Sequence, residues 1–146
     1  MIPYGRQSVS QQDIDAVVAV LQSPFLTQGP VVPQFEQAVA SLVAAKHAVA
    51  VNSATSALHI ACLALGVGPG DVVWTSPNSF VASANCALYC GAQVDFVDID
   101  PQSGNMCPQA LATKLELAQA SGQLPKVVIP VHFAGQPAQL AAIAEL

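Results

Sequence analysis

Charged residues are scarce in this chain of 146 amino acids, and most of the few present are acidic. Lysine and arginine number four against nine aspartates and glutamates, which gives a net charge of −5. A protein that binds nucleic acid through its phosphates presents a basic stripe, and four cations cannot build one. The composition therefore excludes a nucleic-acid binder, and the acidic balance serves solubility.

Long apolar runs are also missing. A membrane-spanning helix needs about 20 consecutive apolar residues. The longest candidates here, 54–67 and 80–90, are shorter, and His59 and Asn85 interrupt them. The opening residues 1–6 are mixed, whereas a signal peptide begins with a basic stretch and continues with an apolar one. The sequence thus predicts a cytoplasmic protein that contacts no membrane.

Metal-binding patterns are absent around the four cysteines, Cys62, Cys86, Cys90 and Cys107. Cys86 and Cys90 would share one helix face, which in principle could supply two metal ligands. No CxxC or His-x-x-x-His pattern accompanies them, and so no metal site is expected. Small buried thiols in a reducing compartment are the favoured interpretation.

What the chain has in abundance is apolar sequence, since 53% of its residues are hydrophobic and only 9% are charged. Ordinary soluble domains are about 25% charged. A composition of this kind is typical of a sheet covered on both faces, or of a surface buried in an oligomer.

Helices and strands alternate along the sequence. Strands are predicted at 47–51, 72–75, 93–97 and 127–131, and the first and last of these are nearly all apolar. Strands separated by helices require crossover connections and form a mostly parallel sheet. The predicted fold class is therefore α/β, a three-layer α/β/α arrangement.

Six helices are predicted. Ser10 and Asp13 form a capping-box-like start to the first, which Pro24 ends. The second is expected at 33–45, with three side chains directed inward, Phe35, Val39 and Leu42. Of the others, one is expected to follow a turn at 52–56 and run through Leu65, and the rest are expected at 79–90, at 108–120 and from Pro137 onward.

Ligands of open α/β sheets bind at the carboxyl ends of the strands, where three turns qualify. The turn at 52–57 is rich in small and hydroxyl side chains, and the free amides of a helix start favour a phosphate. A plain Ser or Thr N-cap is the alternative. In the turn at 76–80, Phe80 could stack on a planar cofactor or belong to the core. In the turn at 130–137, His132 could act on a substrate or serve as a structural imidazole.

These turns, in this order, resemble the sugar aminotransferases of the DegT type, a branch of the fold-type-I pyridoxal phosphate enzymes. The resemblance extends over the whole chain and is strongest at 52–58, Asn-Ser-Ala-Thr-Ser-Ala-Leu. Shorter similar stretches lie at 2–4, 26–30, 71–73, 79–82, 91–92, 96–100 and 130–135. Their order and spacing together make the resemblance specific.

The chain is most similar to the branch that makes pseudaminic acid precursors for cell-surface polysaccharides, the UDP-4-amino-4,6-dideoxy-N-acetyl-beta-L-altrosamine transaminases. Enzymes of that branch move an amino group from glutamate to C4 of a UDP-linked keto-deoxy sugar. The resemblance therefore implies pyridoxal phosphate as cofactor, a nucleotide sugar and glutamate as substrates, and a homodimer with shared active sites.

The resemblance also implies roles for single residues. Ala54 and Thr55 match the positions whose backbone amides hold the cofactor phosphate. Phe80 matches the aromatic side chain that stacks on the pyridine ring, which overrides its assignment to the core. The loop at 27–30 matches a segment near the substrate and the dimer partner. For that loop and for His132 the resemblance implies no single contact.

The family's aspartate on the pyridine nitrogen and its Schiff-base lysine fall downstream of Leu146. Lys46, Lys114 and Lys126 do not substitute for that lysine, because none is expected beside Phe80. Residues 1–146 are therefore expected to be the N-terminal segment and the first part of the pyridoxal phosphate-binding large domain, without the C-terminal small domain. No catalytic residue is assigned, and the chain alone is expected to be inactive.

Two other functions fit the same residues. A sugar dehydratase of the same fold, in which histidine replaces the lysine, would share this cofactor-binding part. A degenerate binding domain would keep the fold without the chemistry.

Overall fold

The computed structural model describes residues 5–146, so the similar stretch at 2–4 lies outside the described residues. The chain divides into two compact units at the bond between Ala50 and Val51. Within residues 5–146, no helix is long and apolar enough to cross a membrane.

The first unit contains two helices, α1 (Gln11–Leu21) and α2 (Val31–Leu42). The predicted capping box at the start of α1 is confirmed. The Ser10 hydroxyl accepts from the Asp13 amide at 3.3 Å, and the Asp13 carboxylate accepts from the Ser10 amide at 2.7 Å. Hydrogen bonds from the Ser10 amide and hydroxyl hold the pKa of Asp13 below its ordinary value. Local contacts thus define where α1 begins.

The apolar sides of these helices are largely uncovered within the unit. None of the residues of α1 is buried, and in α2 only Ala40 is. The expectation that Phe35 and Leu42 point inward is wrong, since they are 59% and 86% exposed. A helical face becomes buried only where another element packs on it. Among the described residues of this unit, 5–50, Phe35 and Leu42 stay exposed.

The strand predicted at 47–51 is also wrong, because the segment is irregular and does not pair into the sheet. Its amides make one hydrogen bond to a described side chain, from Ala50 N to Glu36 Oε1 at 2.8 Å. Val49 is 76% exposed. A strand depends on hydrogen bonds to a neighbouring strand, and residues 5–146 provide no such neighbour here.

The second unit is built on a three-stranded sheet of β1 (Val72–Thr75), β2 (Gln93–Phe96) and β3 (Val127–Ile129). The strands are parallel, in the order β2-β1-β3. The sheet thus has three of the four predicted strands, with β1 in the centre.

Helices cover both faces of this sheet: α3 (Ala54–Ala64), α4 (Ala82–Tyr89), α5 (Pro108–Ser121) and α6 (Leu140–Ala144). Val73 packs with Cys62 of α3 and Cys86 of α4. The next residue, Trp74, packs with Leu111 of α5 on the other face. Because successive strand residues point to opposite faces, this alternation gives the predicted α/β/α layers.

Two helices begin later than predicted. The fourth begins at Ala82 and not at residue 79, because Phe80 and Val81 form the turn that leads into it. The last begins at Leu140 and not at Pro137, since a 3₁₀ turn at Phe133–Gly135 precedes an extended segment.

All four cysteines are free thiols. Cys62 and Cys86 are buried between α3 and α4, as predicted, and Cys90 and Cys107 are half-buried. Burial, together with the neighbouring Cys86 thiol, raises the pKa of Cys62 to about 11. The thiol of Cys62 is therefore an inert part of the core.

Candidate functional site

Side chains of the turn itself fix the start of α3. Ser53 is extended, with φ −161° and ψ 155°, and its hydroxyl accepts from the Ser56 amide at 3.2 Å. The Ser56 hydroxyl donates to Asn52 Oδ1 at 2.7 Å. The sequence-based N-cap is thus present, and it uses only one of the unpaired amides that every helix start presents.

The amides of Ala54 and Thr55 occupy the first two positions of α3 and have no acceptor among the described residues. The following amides are used, because those of Ser56 and Ala57 donate to the Ser53 hydroxyl and carbonyl. The first turn carries no acidic side chain that would repel an anion. Two free amides at the positive end of a helix dipole fit a phosphate group.

Phe80 lies in the turn that follows β1, two residues before α4 begins. Its side chain is 77% exposed, so it does not belong to the core of this unit. Its carbonyl accepts from the Ser83 amide at 3.0 Å, which fixes the backbone of the turn. An exposed aromatic ring on a fixed turn at a strand end is available to cover a planar ligand.

The three residues predicted to contact the cofactor, Ala54, Thr55 and Phe80, belong to the same compact unit. Ala54 and Thr55 begin α3, Phe80 precedes α4, and the two helices pack together through Cys62 and Cys86. The arrangement of Phe80 over a ring whose phosphate lies at Ala54 and Thr55 stays a prediction.

Two buried polar atoms near Phe80 have no hydrogen-bond partner among the described residues. They are the Ser76 hydroxyl and Asn78 Oδ1. Leaving a buried polar atom unpaired costs about 1–3 kcal/mol, so such atoms call for a water or ligand partner. The sequence showed a polar turn at 76–78. Only the structure shows that these two oxygens are buried without a partner among the described residues.

Asn105 is a residue that the sequence-based reasoning missed. It is 3% exposed, and its side chain bonds to the backbone at Phe133, Gln136 and Pro137. These partners lie 28 to 32 positions away along the chain. No local pattern could have indicated contacts at that separation.

His132 lies after β3, as expected, with its side chain exposed. Its Nδ1 accepts from the Ala138 amide at 2.9 Å. The Ala138 amide thus holds the imidazole in the turn, while the roles as a structural imidazole and as a contact to substrate both stay predictions. Because Nδ1 accepts, the neutral ring carries its proton on Nε2.

The loop at 27–30, in the first unit, is irregular as predicted, with Gln28 at a positive φ of 53°. A Cβ at Gly29 would lie 2.8 Å from the Phe25 carbonyl oxygen, so this position requires glycine. Its relation to substrate and partner stays a prediction.

The two lysines of the second unit lie at different ends of the sheet, and the Lys114 ammonium donates to the carbonyl of Phe96, the last residue of β2. Lys114 is paired with Asp95 at 2.7 Å and lies 4.8 Å from the centre of the Trp74 ring. The hydrogen bond from Lys114 keeps the pKa of Asp95 below its ordinary value. Lys126 precedes the amino end of β3. The Lys114 ammonium is therefore already engaged by Asp95, Phe96 and Trp74.

The sequence pattern of the DegT/DnrJ/EryC1/StrS aminotransferase family matches residues 7–146, which include the turns at Ala54, Phe80 and His132. This chain belongs to that family. Enzymes of the DegT family use pyridoxal phosphate.

A curated relative is the spore coat polysaccharide biosynthesis protein SpsC of Bacillus subtilis. It is 44% identical over 142 residues, which cover 97% of this chain and 35% of SpsC. The chain thus spans about a third of the length of this DegT-family relative.

Solved structures of the family are similar over nearly the whole chain. Helicobacter pylori PseC, an aminotransferase involved in the biosynthesis of pseudoaminic acid, gives a TM-score of 0.88 at 31% identity, over 98% of this chain and 37% of PseC. Spr1654 of Streptococcus pneumoniae, solved in its pyridoxal phosphate and pyridoxamine phosphate forms, gives a TM-score of 0.85 at 27% identity, over 99% of this chain and 35% of Spr1654. These similarities confirm the fold-type-I aminotransferase fold.

Proposed function

We propose that this chain is the part of a longer pyridoxal phosphate-dependent sugar aminotransferase that binds the cofactor. The observation that carries the proposal is the pair of unused amides of Ala54 and Thr55 at the start of α3, in a chain of the DegT family. The coverage of about a third of SpsC supports a longer protein, in which residues 1–146 would be the N-terminal segment and the beginning of the large domain.

In this proposal the residues at the carboxyl ends of the strands bind and orient the cofactor. The Ala54 and Thr55 amides donate to phosphate oxygens, which need no side-chain cation because the helix dipole favours the anion. The ring of Phe80 covers one face of the heterocycle and excludes water there. Since Phe80 is already exposed, covering it does not require the core to repack.

Pyridoxal phosphate, when bound, supplies an electron sink and a carrier for the amino group. The whole protein would transfer that group from glutamate to a nucleotide-linked keto-deoxy sugar, at C4 of a UDP sugar. The printed functions of SpsC and PseC support a product used in cell-surface polysaccharide or pseudaminic acid biosynthesis. The lysine that moves protons would come from outside residues 1–146, so the chain by itself would bind the cofactor without turnover.

The whole protein would act in the cytoplasm as a homodimer. The uncovered apolar side chains of the first unit support an assembly of this kind, since Phe35 and Leu42 are exposed on α2. A homodimer interface is richer in apolar side chains than the rest of a protein surface.

A titration tests the phosphate site directly. Amide chemical shifts of the chain are followed as pyridoxal phosphate, inorganic phosphate or phosphate-free pyridoxal is added. The two phosphate compounds should shift the amides of Ala54 and Thr55, and pyridoxal should leave them in place. Shifts confined to other regions, or equal shifts with pyridoxal, would contradict the proposal.

Phe80→Ala tests the stacked ring. Aromatic stacking contributes about 0.5–1.5 kcal/mol, so the affinity for pyridoxal phosphate should fall roughly three- to tenfold. Phe25→Ala is the matched control, because Phe25 is also exposed, at 62%, but lies in the first unit. The affinity for inorganic phosphate should be unchanged in both variants. An unaltered pyridoxal phosphate affinity in Phe80→Ala would show that the ring does not contact the cofactor.

A further inference from the structure

Three turns at the carboxyl ends of the strands are tied together by one segment, Gly104–Asn105. This segment follows β2 and precedes α5. It bonds to the turn after β1 and to the turn after β3. None of these bonds belongs to a helix or to the sheet ladder. They join loops that are 26 to 32 positions apart in the sequence.

The Asn105 side chain uses both of its donors and its acceptor oxygen on the turn after β3. Its Nδ2 donates to the Gln136 carbonyl at 2.9 Å and to the Pro137 carbonyl at 3.1 Å. Its Oδ1 accepts from the Phe133 amide at 2.8 Å. The two ends of the amide cannot be exchanged, because Nδ2 would then face a backbone N–H.

Gly104 completes the link on its other side. Its carbonyl accepts from Asn78 Nδ2 at 2.9 Å, which joins it to the turn that carries Phe80. A Cβ at this glycine would lie 2.9 Å from the Phe133 ring, and its φ is +72°. The close contact with Phe133 and the backbone conformation therefore both require glycine at position 104.

The bonds of Asn105 fix residues that lie between His132 and its partner Ala138. They fix Phe133, next to His132, and Pro137, next to the Ala138 amide that donates to Nδ1. This amide selects the tautomer with the proton on Nε2. No described residue accepts from that Nε2–H, so the ring presents a donor with a set orientation.

We propose that Asn105 is a positioning residue: by holding the turn at 132–138, it keeps His132 as an Nε2–H donor for an oxygen acceptor of the substrate. The role toward substrate rests on the proposed function. The role toward His132 rests only on the hydrogen bonds, and it can be tested without cofactor.

The test is the tautomer of His132 in the 146-residue chain, read from long-range proton–nitrogen spectra at about pH 8, where an ordinary imidazole is neutral. The unmodified chain should show a single Nε2–H form. Asn105→Ala should turn it into a mixture of tautomers. It should also speed hydrogen exchange of the Ala138 amide roughly tenfold or more, because that amide loses its fixed acceptor. The other two imidazoles, His47 and His59, are internal references.

Val67→Ala is the control for a general loss of stability. Val67 is buried in the core cluster on the α3 and α4 face, and none of the residues of that cluster belongs to the turn at 132–138. With a comparable fall in thermal midpoint, this variant should leave the His132 tautomer unchanged. Equal changes in Val67→Ala and Asn105→Ala would reduce Asn105 to a stabilising residue and overturn the proposal.

Asn105→Asp is the second variant, in case Asn105→Ala does not fold. It keeps the acceptor for Phe133 and removes both donors to the carbonyls. The same tautomer mixture is expected, and an unchanged tautomer would again overturn the proposal. Because neither readout uses cofactor, a failure here leaves the phosphate titration at Ala54 and Thr55 unaffected, and a failed titration leaves this result standing.

Discussion

The two units of this chain differ in how far their apolar side chains are buried. In the second unit, successive residues of the central strand point to opposite faces, and both faces are covered by helices. In the first unit, α1 is defined by a capping box but buries none of its side chains. The comparison teaches that local hydrogen bonds suffice to place a helix, whereas burial depends on a second surface.

The difference between the units should be largest in the cost of removing a leucine side chain. Leu111→Ala empties a site that is 1% exposed and should cost about 2–5 kcal/mol of unfolding free energy. Leu42→Ala removes a side chain that is 86% exposed and should change it by less than about 0.5 kcal/mol. Denaturant unfolding followed by circular dichroism measures both.

Trp74, the sole tryptophan, is 3% exposed and gives a second probe confined to the second unit. Similar losses in Leu111→Ala and Leu42→Ala would show that Leu42 is buried in solution, and the contrast between the units would then fail.

An intermediate effect is expected at the cap of α1. Ser10→Ala should destabilise α1 by about 1 kcal/mol, because the Asp13 amide loses its acceptor. Faster hydrogen exchange in the first turn of α1 measures this loss. Gln12→Ala, one position away and outside the cap, is the control. Equal exchange in the two variants would mean that the capping box contributes nothing to α1.

The cap should also depend on pH. The pKa of Asp13 is lowered in the folded chain, first by the Ser10 amide and then by the Ser10 hydroxyl. Its contribution is therefore present above the ordinary carboxyl pKa and is lost as pH falls through the lowered value. Protection of the α1 amides, relative to unstructured amides at the same pH, should fall on acidification below about pH 4, and Ser10→Ala should weaken this dependence.

The smallest effect is expected at the ion pair beside β2. Lys114→Met should cost less than about 1 kcal/mol, since the Asp95 side chain is half exposed. The pKa of Asp95 should rise toward its ordinary value, which a carboxyl titration by NMR detects. Lys126→Met, at the amino end of β3, should leave Asp95 unchanged. An Asp95 titration that is the same in all three proteins would exclude Lys114 as the cause of the shift.

Much of the second unit could be predicted from the sequence because its signals are local. The strand at 72–75 was predicted as observed, whereas α3 was predicted to follow the turn at 52–56 and begins earlier, at Ala54. The strand predicted at 47–51 does not form, although that segment is equally apolar. Apolar composition indicates that a segment can be buried, but pairing depends on a neighbour that the described residues do not provide.

The candidate site divides in the same way. Small residues after a predicted strand pointed to Ala54 and Thr55, and the family resemblance added Phe80. No pattern in the sequence indicated Asn105, whose partners are about thirty positions away, or the oxygens of Ser76 and Asn78 that lack a partner among the described residues. Long-range bonds and burial arise from packing, which local patterns do not encode.

By itself, the sequence determined the α/β alternation, the cap of α1 and the amide-rich start of α3. Each depends on side chains within a few positions of one another, where chain connectivity guarantees the contact. Only the tertiary structure decided that α2 leaves Leu42 exposed, that oxygens of Ser76 and Asn78 are buried without a partner among the described residues, and that Asn105 bonds to the turn of His132. These outcomes depend on which distant surfaces meet, and only the folded chain brings those surfaces together.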